Sequence, residues 1–166
     1  SRQAQAILIS GESGAGKTET TKQCLKMLSE CAGGSKAGEV GVEERLLSTN
    51  PVLETLGNAK TVRNDNSSRF GKFMQIHFNG LFKIVGCDVV DYLLEKSRVT
   101  SPGPNERSYH IFYQLCKMSQ GRKGLVDADE YPYLSVSGCT KVTAIDDGEE
   151  WKALNDALKL LGYTDV

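Results

Sequence analysis

The sequence has no apolar run long enough to span a bilayer and no recognisable secretory leader. Its net charge is small: 20 Lys and Arg against 21 Asp and Glu leave −1, so no electrostatic argument points to nucleic acid or an anionic membrane. Five cysteines, at 24, 31, 87, 116 and 139, show no C-x-x-C and no paired spacing, so neither a zinc site nor a disulfide framework is suggested. Cys24 and Cys31 are expected as small core residues on a helix face. The two histidines, 77 and 110, fall within a strand pattern and a helix pattern and read as structural. No internal repeat is present. An initiator Met is also lacking, and the chain opens almost directly on an apolar stretch, which suggests a piece of a longer protein. The remaining composition, 25% charged and 39% hydrophobic over 166 residues, is that of one globular domain.

What the chain does have is Gly11-Glu12-Ser13-Gly14-Ala15-Gly16-Lys17-Thr18, the G-x-x-x-x-G-K-[ST] phosphate-binding pattern. Residues 6–9, Ala-Ile-Leu-Ile, are expected to form a short buried strand before it. Residues 18–31 are expected to form an amphipathic helix after it, with Cys24, Leu25, Met27, Leu28 and Cys31 on one face. Glycines let such a loop turn successive N–H groups inward onto phosphate oxygens, at the positive end of the following helix. Lys17 then reaches the β- and γ-phosphates, and the Thr18 hydroxyl coordinates Mg²⁺. A loop that takes ATP also makes the reducing cytoplasm the natural compartment.

Further along, residues 32–42 hold four glycines without periodicity and read as a flexible surface loop. Residues 43–48 resume helical character, with Val42, Leu46 and Leu47 placed to pack. Thr49 or Asn50 followed by Pro51 signals the start of another helix, with Val52, Leu53 and Leu56 as its stripe and Gly57-Asn58 as its end. Residues 58–72 are polar and too rich in Asn and Ser for helix interior or central strand. Their hydroxyls, amides and the cations Lys60, Arg63, Arg69 and Lys72 suit either a solvated loop or a second loop that senses the nucleotide.

Period-two alternation from Phe73 to Phe78, then Asn79-Gly80 and a return at 81–85, predicts an antiparallel hairpin over about 71–86. The hairpin reverses the chain before Asp88, so Asp88 and Asp91 are expected to be structural or solvated rather than Mg²⁺ ligands. Residues 92–166 read as mainly helical. A helix at 109–118 is expected to turn Ile111, Phe112 and Leu115 inward, and a last helix carries Trp151, Leu154, Leu158 and Leu161 before Gly162. Residues 131–142 look irregular or edge-like. The acidic residues of 145–166 read as a solvated face.

These residues closely resemble the myosin motor head. The stretch 7–19 is similar to that family's phosphate loop. Asn58-Ala59-Lys60-Thr61 with Asn64-Asp65-Asn66-Ser67-Ser68-Arg69-Phe70-Gly71-Lys72 is similar to its first switch loop. Residues 92–99, Glu106-Arg107 and 110–115 match further family stretches. The resemblance runs end to end. It implies an α/β fold, the P-loop NTPase core of a motor head, partial here, with the hairpin added to the phosphate-loop unit. Within that core 1–31 form strand, loop and helix, and 43–72 form helices and the first switch. Its cofactors are ATP and Mg²⁺, and its partner is the actin filament, in the cytoplasm and cytoskeleton.

The resemblance also implies residue roles. Gly11 to Thr18 and Asn64 contact phosphates, Lys17 the γ-phosphate, and Thr18 and Ser68 the Mg²⁺. Ser67 lies by the γ-phosphate and attacking water, and Arg69 closes over the site onto a glutamate of a second switch loop. That Asp-x-x-Gly-Phe-Glu loop, the adenine-contacting segment and the main actin-binding elements are not in this sequence, so these 166 residues alone are expected not to hydrolyse ATP. Three readings follow: an actin-activated ATPase motor, another P-loop NTPase or small-molecule kinase, or a nucleotide-bound actin tether without productive turnover. The stretch 64–72 favours the first.

Overall fold

A computed structural model describes residues 3–32, 41–118 and 124–163. Gly16 caps the first helix in a left-handed conformation (φ 86°, ψ 15°), which only glycine adopts without strain, and α1 runs Lys17–Cys31. Leu25 is its buried residue, while Met27 is 52% exposed and Cys31 is exposed, so the buried face is narrower than expected. The run at 6–9 is not a strand. Among the described residues it has no ladder partner, and Ile7 and Leu8 are exposed. An apolar run becomes a strand only where another strand supplies hydrogen bonds. Among the described residues both sheets are two-stranded antiparallel pairs formed elsewhere in the chain.

The expected break at Pro51 does not occur. One helix, α2, spans Val42–Gly57 with Pro51 inside it. Proline removes one i→i−4 bond, but buried Leu46, Asn50 and Thr55 fix the helix on both sides of it. Leu56 is exposed. Gly57 is required for a different reason, because a Cβ there would lie 2.6 Å from Cδ1 of the Phe70 ring. The C-terminal end of α2 and the exit of the polar loop are therefore in direct contact. The glycine-rich stretch 32–42 falls largely outside the described residues.

Two short strands, β1 (Asn58–Ala59) and β2 (Ser67–Ser68), pair antiparallel and close the polar loop at its base. Ala59, fully buried, also bridges to Tyr109. Next come β3 (Gly71–Phe78) and β4 (Ile84–Tyr92), an antiparallel hairpin whose return strand is longer than the sequence suggested. Its connection is not a two-residue Asn-Gly turn. Asn79 Oδ1 accepts from the N–H groups of Leu81 and Lys83, and Phe82 takes a positive φ of 59°.

A 3₁₀ turn at Lys96–Val99 leads on to α3 (His110–Met118). The inward face of α3 is rotated from the expected one: His110, Tyr113, Gln114 and Cys116 are buried, Ile111 and Phe112 are half-buried with Phe112 packed on the core, and Leu115 is 37% exposed. Polar anchoring decides this. Tyr113 Oη accepts from Ser108 N–H at 3.0 Å and donates to the Leu134 carbonyl at 3.3 Å, and the Arg107 guanidinium lies 3.7 Å over its ring.

Residues 131–142 are irregular rather than edge-like, apart from the short helix α4 (Pro132–Ser135), which packs Leu134 against Tyr113 and Cys116. The last helix, α5 (Asp147–Leu160), is capped by Asp146, whose carboxylate accepts from Gly148 and Glu149 N–H. It packs on α2 and α3 and buries Leu154. Asp147 departs from the solvated acidic face by holding the fully buried Arg107 at 2.8 Å.

Two outcomes follow for stability. Gly57→Ala must displace the Phe70 ring and is expected to cost about 1–3 kcal/mol, read as a lowered unfolding midpoint. For His110, burial first and the positive Arg107 second draw the pKa down from 6.5 to about 4. The unfolded chain takes up this proton near 6.5 and the folded one resists it. Stability is therefore complete above pH 6.5 and falls as pH drops towards 4, by about 3 kcal/mol in total. The unfolding midpoint should slope through that window in the parent protein and lose this component in His110→Gln.

Candidate functional site

The glycine loop and the polar loop, far apart in sequence, meet around one cleft of about 480 Å³. From the first come Ser13, Gly14, Gly16, Lys17 and Thr18; from the second, Asn64, Asn66, Ser67, Ser68 and Arg69. Lys17 and Thr18 begin α1, so the helix's unpaired N–H groups and positive dipole end open onto this cleft. Lys17 Nζ donates to the carbonyls of Gly11 at 2.6 Å and Glu12 at 2.7 Å, which folds it across its own loop. Gly11, Glu12 and Ala15, although part of the motif, do not line the cleft.

The polar loop is built from bonds to itself and to its neighbours. Thr61 Oγ1 accepts from Asn64 N–H at 3.1 Å, and Asn64 Oδ1 accepts from Asn66 N–H at 3.0 Å. Asn66 is a junction. Its Oδ1 accepts from Asn58 Nδ2 at 2.8 Å and faces His110 Nε2 at 3.3 Å, while its Nδ2 donates to Glu54 Oε2 at 3.0 Å. With Asn66 Oδ1 as acceptor, neutral His110 carries its proton on Nε2.

Ser67 is buried and its Oγ lies 3.0 Å from Ser13 Oγ, directly joining the two loops. Arg69 Nη1 donates to the same Ser67 oxygen at 3.1 Å, and Arg69 Nε donates to Glu95 Oε2 at 2.6 Å. Within the described residues, then, the carboxylate that receives Arg69 is Glu95. Burial acts to raise the Glu95 pKa, but the hydrogen bonds and charges of Arg98 and Arg69 outweigh it and hold the carboxyl below the usual range.

Of the four cations expected to serve the cleft, only Arg69 lines it. Lys60 is drawn to the Asn105 carbonyl at 2.6 Å, and Lys72 donates to Asn50 Oδ1 at 3.1 Å, where burial lowers its pKa. Arg63 is exposed outside the cleft. Asp88 lies on the exposed hairpin, 2.8 Å from His77 Nε2.

Three residues at or beside the cleft had escaped the sequence reading. Lys22 sits one helical turn beyond Thr18, and that i,i+4 spacing could have placed it in the cleft. Its pairing with Glu19 at 2.9 Å is the main cause of its raised pKa. Glu54 reaches Lys22 at 3.6 Å from α2. Neither Glu54 nor Glu95 carries a local signal, because what matters for each is a partner distant in sequence.

The donors suit a small hard cation. Thr18 and Ser68 bring hydroxyls to the same cleft, and Ser68 Oγ spends its proton on the Phe70 carbonyl at 3.1 Å. Both lone pairs of that oxygen are then open to a cation, and oxygen ligands suit Mg²⁺. Among the described residues no cluster of His, Cys, Asp and Glu forms a competing centre.

Comparison with known proteins bears on all of this. A family model described as "Myosin head (motor domain)" matches residues 1–166. The chain is 49% identical to "Myosin-1" of Arabidopsis thaliana over 161 residues, covering 95% of this chain and 13% of that protein. It is 46% identical to "Myosin-1" of Pyricularia oryzae, covering 96% and 14%. It is 47% identical to "Myosin type-2 heavy chain 2" of Schizosaccharomyces pombe, covering 96% and 8%. The matched region is thus a small part of each relative, and among the described residues no helix is long and apolar enough to cross a membrane. With the family model matching throughout and identity near one half, the chain belongs to the myosin head (motor domain) family.

Proposed function

We infer that this chain is the phosphate-binding part of an actin-based motor, built on a P-loop NTPase core, and that the intact protein couples ATP hydrolysis to force on actin filaments in the cytoskeleton. The observation that supports this reading most is the 3.0 Å contact between Ser13 and Ser67, with Arg69 bonded to the same hydroxyl. A loop shaped for phosphate and a loop of hydroxyls, amide and guanidinium converge on one cleft, which is the layout needed to hold a triphosphate and position its γ-phosphate.

The division of labour follows from the residues. The loop N–H groups, the α1 N-terminus and Lys17 bind phosphate oxygens. Lys17 does so by exchanging its bonds to the Gly11 and Glu12 carbonyls for stronger charge-assisted ones. Thr18 and Ser68 would hold Mg²⁺, which when bound supplies neutralising charge to the phosphates. Asn64 orients phosphate oxygens. Ser67 is placed to fix the attacking water, and Arg69 shields it from bulk solvent.

The test uses the intact motor. Lys17→Ala should weaken ATP binding by roughly ten- to a hundred-fold, the equivalent of about 1.5–3 kcal/mol. Ser67→Ala and Arg69→Ala should lower kcat while changing nucleotide affinity far less. Equal loss of affinity in all three variants would contradict this assignment. Actin co-sedimentation that ATP fails to release would contradict the motor itself and favour a tether.

A further inference from the structure

Arg69 has one ion-pair partner among the described residues, and that partner is held unusually well. Glu95 lies 26 residues further along the chain, yet it meets Arg69 twice: its carboxylate accepts from Arg69 Nε at 2.6 Å, and its backbone N–H donates to the Arg69 carbonyl at 3.1 Å. The Glu95 carbonyl accepts from Tyr109 Oη at 2.8 Å, which ties this position to the buried residue bridging Ala59. The carboxylate also accepts from Arg98 Nε at 2.6 Å, so two guanidinium groups share one oxygen. They are not equivalent. Arg98 is buried and keeps Glu106 at 3.0 Å and the Arg107 carbonyl at 3.1 Å, whereas among the described residues the Arg69 guanidinium keeps only the hydroxyl of Ser67.

From this asymmetry we propose that Glu95 is a positioning residue for hydrolysis, holding Arg69 by side chain and backbone so that Ser67 Oγ stays against Ser13 Oγ. The proposal rests on the ATPase reading given above. Removing the carboxylate leaves Arg98 fixed by Glu106 and sets two like charges side by side, so the guanidinium that moves is Arg69. The bond from Nη1 to Ser67 then goes, and with it the placement of the hydroxyl. Lys17, the loop N–H groups and the start of α1 have no bond to Glu95 and keep their geometry. The effect therefore belongs to the catalytic step and leaves nucleotide capture intact. A carboxamide at this position keeps an acceptor for Arg69 but loses the charge, so its effect is intermediate.

Steady-state ATPase of the intact motor, counted per nucleotide site titrated with a fluorescent ATP analogue, tests this. Glu95→Ala should lower kcat by about ten-fold with KM for ATP changed by less than about three-fold, and Glu95→Gln should fall between it and the parent. Asp147→Asn, which breaks the Arg107 ion pair away from the cleft, provides the comparison for general destabilisation. It should lower the unfolding midpoint with kcat per site within about two-fold of the parent. The proposal is overturned if Glu95→Ala keeps kcat per site within two-fold of the parent. It is equally overturned if KM rises in step with the fall in kcat, or if Asp147→Asn loses as much kcat at the same midpoint. Should Glu95→Ala fail to fold, the same criteria applied to Glu95→Gln decide it. A parent motor that does not turn over ATP would instead remove the ATPase reading, and this proposal with it.

Discussion

The polar loop between β1 and β2 has almost no apolar side chain to bury, and its shape is imposed by hydrogen bonds from outside it. Asn58 and Glu54 fix Asn66 from the end of α2, His110 faces it from α3, and Glu95 receives Arg69. Two of these anchors are carboxylates, one is an amide and one a neutral imidazole. Such contacts depend strongly on distance and angle. They specify one arrangement of the loop more sharply than a greasy patch could, and they cost desolvation that apolar contacts do not. The arrangement suits a segment whose outward-facing atoms have to stay polar.

The rest of the interior shows the same preference. Arg107 and Ser108 are completely buried, and Gln114 is nearly so, around a tyrosine that serves as hydrogen-bond acceptor, donor and cation platform at once. Leu134 and Cys116 fill what remains. Because this interior is organised by directional groups, the loop that leans on it inherits a fixed reference. Arg107 N–H donates to the Lys60 carbonyl and Tyr109 pairs with Ala59, so the base of the polar loop is stitched to the N-terminal end of α3.

Much of this was legible in the sequence wherever the signal was local. The glycine loop and the helix after it, the hairpin, and the last helix all announce themselves through the spacing of their residues. The misreadings share one cause. Residues 6–9 looked like a strand because apolar β-branched residues favour one, but a strand needs a partner that local pattern cannot supply. Pro51 looked like a boundary, although burial on both sides outweighs one lost hydrogen bond. The inward face of α3 was misjudged because hydrophobicity ranks Leu115 above Gln114, while the hydroxyl of Tyr113 decides the rotation. Of the cleft's lining, Lys17 and Thr18 are marked by the glycine motif and Ser67 and Arg69 by the family resemblance. Glu54 and Glu95 are marked by neither, since a carboxylate in a helix or after a strand looks like any solvated one until its distant partner is known.

The join between β2 and β3 has a mechanical meaning. Only Arg69 and Phe70 separate Ser68 from Gly71, and Phe70 is packed against Gly57. There is no spare chain here to take up play. Two residues, one of them packed, join the cleft-lining Ser67 and Ser68 to the root of the hairpin. Over the eight residues of β3, at about 3.3 Å each, a small angular change at the root becomes a larger sweep near Asn79. A rotation of the root is thus magnified at the tip of the hairpin, a lever separated by two residues from the cleft-lining Ser68.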